Sequence, residues 1–452
     1  MNSVTNSLGN SADDLVLRPG DSRYEEELAG FQTGFAQRPA AVFAASSAHD
    51  VTRAVAYAAA EGLPVGVQAT GHGLPGSAEG GVLITTRRMD GVTVDAGART
   101  VRVQAGVRWG QVVEAAAPHG LAPLNGSAPG VGAVSYTLSG GLGILAREFG
   151  YAADHVRSLD VVTADGRPRH VTRESDPDLY WALLGGGHNF GVVTELEIGL
   201  VPVARLYGGA LAFDGREVDP VGILRAYERW TRTVPDGLTS SFAAVPYPDV
   251  PGMPPHLRGR YVVSVRVAYT GSAEEGERLV APLREIGPTL ADSLREMPYA
   301  ESHTIHSDPD FPHAYYGDSA VLRELDVDAP AAAELLARTG PDAPAMCVLQ
   351  INHLGGALEK DAPNSVSHRE GRFLVRLLTM LSPGSGREAA RATLDPAFAV
   401  LAPWAIGRAL NFAFGAGDRT EGLYDAATRK RLAGLKSQYD PANLFRRNYN
   451  VA

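Results

Sequence analysis

The stretch Gln68-Ala-Thr-Gly-His-Gly-Leu-Pro-Gly-Ser77 constrains this chain more than any other. A short apolar run, Leu63-Pro-Val-Gly-Val67, precedes it and reads as a buried strand. Gly71, Gly73 and Gly76 admit positive φ and close backbone approach. Such a turn can aim several N–H groups at phosphate oxygens. His72 stands between two glycines with little local shielding, a place from which it can bond covalently to a cofactor. Taken alone, the stretch also fits an ordinary glycine turn with a solvated histidine.

Composition narrows the rest. A length of 452 residues suggests more than one domain. Apolar content of 44% and charged content of 20% are those of a folded globular protein. A net charge of −10 argues against nucleic acid or an anionic membrane as partner. No apolar run approaches the roughly 18 residues that span a bilayer. Met1 to Asn10 is polar and uncharged, unlike a signal peptide, so a cytoplasmic location is expected. The lone cysteine, Cys347, allows no internal disulfide and no cysteine-based zinc site, and packing as a small hydrophobe suits it. Scarce lysine beside abundant arginine suggests a bacterial source.

Along the chain, Ser47-Ala-His-Asp50 reads as a capping box opening a helix that stops at Gly62. Val92–Asp95 and Thr100–Gln104 alternate as hairpin strands, and Leu159–Thr163 pairs with His170–Thr172 around Ala-Asp-Gly166. Asn125 to Gly150 is a second glycine-rich region. Its Gly140-Gly-Leu-Gly143 lacks the third glycine and the βαβ frame of a dinucleotide fingerprint. Beyond residue 204 glycine thins. Strands at 206–213, 240–245, 262–269 and 346–352 alternate with helices at 220–233, 274–286, 330–338 and 387–396. That pattern predicts an antiparallel sheet covered by helices.

Five ordered stretches resemble the berberine bridge enzyme-like flavoproteins, a branch of the vanillyl-alcohol oxidase superfamily. They are Val67–Gly73, Thr137–Gly143 leading to Tyr151-Ala-Ala-Asp154, Asp178–Val193, His353–Ala357 with His368-Arg369, and Tyr439–Arg446. The resemblance implies an α+β, two-domain PCMH-type FAD-binding fold. Residues 1–204 and 411–452 would hold FAD, and 205–410 would roof the isoalloxazine with the antiparallel sheet. It implies that His72 carries the flavin. Many relatives add a cysteinyl link from the loop matching Gly126-Ser-Ala-Pro-Gly130; here that place is Ala128, so a single link is expected.

By the same resemblance the cofactor would touch Gln68, Ala69, Thr70, Gly71, Gly73, Leu74, Ala128, Gly132, Thr137, Gly140, Gly141, Gly143 and Ile144. Further contacts would come from Gly191, Val193, Asn448, Tyr449 and Asn450. Relatives draw a base from a roof-strand glutamate or a C-terminal tyrosine. On the strand Val348–Leu354 the residues sharing one face are Gln350 and Asn352, neither of them a base, though the two amides could orient a substrate carbonyl or hydroxyl. By the resemblance Tyr449 would serve as the base or as a packing or flavin contact. Tyr136 and Thr137 lead into the glycine run, with Thr137 matching a residue that faces the flavin where oxygen reacts. His188 reads as a surface turn, with a hydrogen bond to the cofactor as the alternative. His303, His306, Asp308, Asp310 and His313 crowd one stretch with Pro309 and Pro312, and read as a solvated loop rimming the substrate pocket rather than a metal site.

The expected activity is that of an FAD-linked oxidase passing a hydride from an alcohol, amine or activated C–H to flavin and then electrons to oxygen, releasing peroxide. A tailoring role in secondary metabolism, such as antibiotic biosynthesis, suits it. Loss of a roof acid keeps an oxygenase or cyclase open, and a flavin-bearing binding protein is a third reading. The expected partners are a small-molecule substrate and molecular oxygen, in a monomer or homodimer.

Overall fold

The structure is a computed structural model describing residues 15–452 apart from 329, 383 and 385. The N-terminal segment on which the location was argued lies outside the described residues.

Residues 16 to 199 build two larger sheets and a two-stranded parallel pair, Gln37–Arg38 with Ala78–Glu79. The first has the order Val16–Leu17, Ala41–Ala44, Val82–Thr85, Val65–Gln68, with the last three strands parallel. Parallel strands need a crossover, and the helix Ala48–Ala60 supplies the one from Ala41–Ala44 to Val65–Gln68, leaving room between them for Val82–Thr85. It starts where the sequence signals: Ser47 Oγ accepts from Asp50 N, and the Asp50 carboxylate accepts from Ser46 N. The second sheet is antiparallel and contains both predicted hairpins, Val92–Asp95 with Thr100–Gln104 and Val156–Val162 with Pro168–Thr172. Val192–Gly199 lies between the two hairpins.

Residues 205 to 407 build one nine-stranded antiparallel sheet. Its centre runs Arg205–Asp214, Tyr261–Tyr269, Leu238–Pro246, Cys347–His353, Phe373–Met380, Tyr315–Leu322. The helices Pro220–Thr231, Ala273–Arg284, Pro330–Thr339 and Arg387–Leu401 pack against these strands. Leu349, Ile351, Val375 and Leu377 are fully buried, while the alternate residues point the other way. Cys347 is buried among them, and burial pushes its thiol up to about 12.

The chain then returns to its first half. Lys436, on the helix Ala426–Tyr439, is buried and donates to Asn189 O and Asp440 Oδ2, both at 2.7 Å. Asp440 also accepts from Leu444 N at 2.7 Å and Phe445 N at 2.9 Å. Asn189 Nδ2 in turn donates to Tyr449 O. This knot closes the tail on the strand Val65–Gln68, whose Val65 N donates to Leu444 O. We propose domain boundaries near 204 and 410. Among the described residues no helix is long and apolar enough to cross a membrane.

Asp440→Ala leaves the Lys436 ammonium buried without its carboxylate and should cost about 3 kcal/mol or more. A lowered denaturation midpoint checks this, and an unchanged midpoint removes the knot as a stabilising feature.

Candidate active site

The glycine turn is pinned from below. Phe31 N donates to Thr70 O and Gln32 N to Gly71 O. Gly71 has φ of 72°, and a Cβ there would lie 2.8 Å from Gly30 Cα, so only glycine fits. The pinning gives His72 more shielding than its flanking glycines suggest. Its ring stacks on Phe31 at 3.9 Å and 12°. Its Nδ1 is hydrogen-bonded to Thr70 Oγ1 at 2.8 Å, and Tyr315 OH donates to its carbonyl at 2.6 Å. Burial, with Arg108 and His313 nearby, pushes the imidazole down to about 4. The ring is therefore neutral at physiological pH, and a neutral ring nitrogen can act as a nucleophile.

Above the turn lies a cavity of about 470 Å³, running from the glycine loop to the large sheet. Gln68, Ala69, Thr70, Gly71, His72, Gly73, Leu74, Ala128, Gly132, Tyr136, Gly143, Ile144, Gln350, Asn352, Asn448 and Tyr449 border it. Gly140, Gly141, Gly191, Val193, Asn450 and Thr137 do not. Thr137 belongs to the helix Ala133–Leu138, fully buried, with Oγ1 donating to Ala133 O at 2.8 Å. It turns away from the place where oxygen chemistry was expected. His188 is no surface residue: it forms part of the cavity wall, with Nε2 hydrogen-bonded to Ser135 Oγ at 3.1 Å, and burial pushes it down to about 4.

Tyr449 reaches the cavity wall, but its phenol donates to Ala413 O, and burial raises its pKa well above the ordinary value. A base must be free to lose its proton and gain another. The Tyr449 phenol is neither free nor acidic enough, which corrects its expected role. Tyr136 differs: its OH is buried without a partner, and its ring packs edge-on to Trp109.

The roof is the cavity face of the large sheet. Gln350 Nε2 donates to Asn352 Oδ1 at 2.7 Å, which leaves Asn352 Nδ2 unpartnered. Arg376, from the neighbouring strand Phe373–Met380, and Arg266, two strands away on the other side, join them in the lining. The loop after Tyr299–Ile305 adds His306 and Asp308. Ser127 Oγ donates to the Asp308 carboxylate. Burial raises the Asp308 carboxyl, but His306, Arg376, Ser127 and Arg266 outweigh it and hold the group ionised. Burial, with Arg266 adding, holds His306 neutral, and its Nδ1 has no partner.

The loop was expected to rim the pocket as a solvated segment. His303 and Asp310 are exposed, as expected, while His306 and Asp308 turn inward. Among the described residues no cluster is arranged to hold a metal. The two arginines were missed, although each was visible as a lone charge in an apolar strand, Val265-Arg-Val267 and Val375-Arg-Leu377.

A buried polar atom without a partner is costly. Gln68 Oε1, Tyr136 OH, His188 Nδ1, Ser241 Oγ, Asn352 Nδ2 and Arg376 Nε are such atoms, and all belong to residues of this one cavity. A large polar ring system with a phosphate tail, entering over the glycine loop, would satisfy those at the glycine end, such as Gln68 Oε1, Tyr136 OH and His188 Nδ1, and leave those on the roof for a further ligand. The residues present fit FAD.

Comparison with known proteins agrees. A family model described as an FAD binding domain matches residues 39–172. The chain is 29% identical to (R)-6-hydroxynicotine oxidase of Paenarthrobacter nicotinovorans, covering 96% of each chain. Its structure resembles crystalline 6-hydroxy-D-nicotine oxidase of Arthrobacter nicotinovorans with TM-score 0.83 and 26% identity, covering 97% of each chain. BBE-like 1 of Physcomitrella patens shares the fold, with TM-score 0.81 and 18% identity over 95% of each chain. The chain carries an FAD binding domain and is an FAD-linked oxidoreductase. Its two-domain α+β fold is the one seen in these flavoproteins.

Tyr449→Phe should strand the buried Ala413 carbonyl and cost about 1–3 kcal/mol of stability. Because the phenol is not the base, flavin reduction by substrate should stay within about threefold of wild type, well under the loss expected for an acid–base group. A hundredfold slower reduction in stopped flow would restore Tyr449 to the chemistry.

Proposed function

We propose that this protein is an oxidase for a small molecule, most fittingly a secondary metabolite, and that His72 alone ties FAD to the chain. The observation that carries the reading is one cavity bordered by three things: a neutral imidazole on the glycine turn, a roof of hydrogen-bond donors, and a second neutral imidazole free to accept a proton. FAD held there would supply hydride-acceptor chemistry, with oxygen as the final electron acceptor and hydrogen peroxide as the product.

The chain's own residues do the rest. Asn352 Nδ2, oriented by Gln350, donates to the substrate oxygen and fixes the carbon that loses hydride. His306 Nδ1 takes the O–H or N–H proton. Asp308, held ionised nearby, stabilises the imidazolium that forms. Tyr136 OH, unpartnered at the glycine end, would be among the groups that hold FAD. The glycine loop would offer backbone N–H groups to its phosphates.

A second reading, a flavin-dependent oxygenase or cyclase, draws support from the roof strand, where Gln350 and Asn352 stand in place of a carboxylate base. Turnover under labelled oxygen separates the two. One peroxide per flavin reduced favours the oxidase; label in the product favours the second reading.

His306→Gln should slow anaerobic flavin reduction by about 10²–10⁴-fold. A histidine whose pKa is lowered is neutral, and able to accept a proton, above that value; its contribution is lost as pH falls through it. Reduction should therefore be flat between about pH 6 and 8, with its acid limb below the ordinary imidazole value of 6.5. A limb centred at 6.5 or above, or an unaffected variant, excludes His306 as the base.

A further inference from the structure

The roof carries more positive charge than its surroundings explain. The protein as a whole is acidic, with net charge −10. The cavity is not. Counting histidines as neutral, the charged residues of its lining are Arg266, Arg376 and Asp308, a net charge of +1.

The arginines occupy defined places. On the sheet, Arg266 is paired to Ser241 and Ser241 to Asn352, while Arg376 is paired to Gln350. They thus rise from strands on either side of the amide pair, on the same face. Arg266 and Arg376 lie close enough to each other and to Asp308 for mutual electrostatic interaction.

Neither guanidinium has a hydrogen-bond or ion-pair partner among the described residues. The Asp308 carboxylate is engaged by Ser127 Oγ instead. Arg376 Nε is buried and unpartnered, and its guanidinium lies over the Phe412 ring at 5.6 Å. The nearby unpartnered Asn352 Nδ2 is also a donor. Cationic forks removed from bulk water and left unpaired are unfavourable, so their natural complement is an anion brought in by the ligand.

We propose that the substrate is a carboxylate monoanion whose carboxyl group is bound by Arg266 and Arg376, with the oxidised carbon held beside Asn352. This rests on the reading of the cavity as the substrate site and narrows its substrate class. The planar guanidinium matches a carboxylate through two parallel hydrogen bonds. A single negative charge balances the lining. A phosphate dianion would leave an excess charge beside Asp308, and a cationic amine would meet two arginines. The substrates favoured are hydroxy acids or acids with an activated C–H, not amines.

The test is calorimetric titration of the holoenzyme with benzoate, benzamide and phenyl phosphate, which share a ring and differ in charge. Benzoate should bind at least about tenfold more tightly than either of the others. Arg376→Gln and Arg266→Gln should each weaken benzoate by about tenfold or more and leave benzamide within about twofold, while Arg376→Lys, which keeps the charge, should recover part of the loss. Equal affinity for benzoate and benzamide overturns the proposal, as does tighter binding of phenyl phosphate. So does unchanged benzoate affinity in both variants, including the case where Arg376→Gln only lowers the flavin midpoint potential, which would assign the charge to the reduced cofactor. The wild-type visible spectrum separates the two readings: protein without flavin absorbance contradicts the oxidase, whereas yellow protein without anion preference contradicts only the substrate class.

Discussion

The site depends on one braced turn. Without the hydrogen bonds from Phe31 N and Gln32 N, the glycines that let the loop approach so closely would also let it wander. With them, His72 is stacked, hydrogen-bonded and neutral at one edge of the cavity. The same brace reaches the large sheet, since Tyr315, which donates to the His72 carbonyl, opens the strand Tyr315–Leu322. Cofactor loop and substrate roof are thereby held in register by direct contact, which is what positional catalysis requires.

The two walls of the cavity have different chemistry. The lower wall is backbone and small residues, suited to a large planar group and its phosphates. The upper wall is side chains with free donors and unpaired cations, offset by the single carboxylate of Asp308. Burial is used twice on imidazoles for different ends. At His72 it keeps a ring nitrogen nucleophilic; at His306 it keeps a proton acceptor ready at physiological pH.

Much of this was legible in the sequence because it is local. The glycine turn declares itself through φ, the helix at 48–60 through its cap, and the roof strand Cys347–His353 through alternation that put Gln350 and Asn352 on one face. What escaped notice depends on partners far away in the chain. Tyr315–Leu322 was not read as a strand because Gly317 and Asp318 interrupt it; Asp318 is tolerated there because Arg408, ninety residues on, grips both its oxygens. Phe373–Met380 was missed as well, its apolar run broken by Arg376. Thr137 was misplaced because a glycine-rich region shows no periodicity from which to read a helix. The Tyr449 phenol looked free because its acceptor, Ala413 O, is supplied only by tertiary packing. The inward turn of Asp308 is likewise fixed by Ser127, distant in the chain, not by its own segment.

The central claim is that the imidazole on the braced turn is joined to the cofactor by a bond that survives unfolding. Intact-mass measurement of the denatured wild-type polypeptide tests it most directly. The account predicts one population, heavier than the bare chain by a single FAD, with the added mass on the peptide containing His72. A polypeptide of unmodified mass, from protein that was yellow before denaturation, would contradict it.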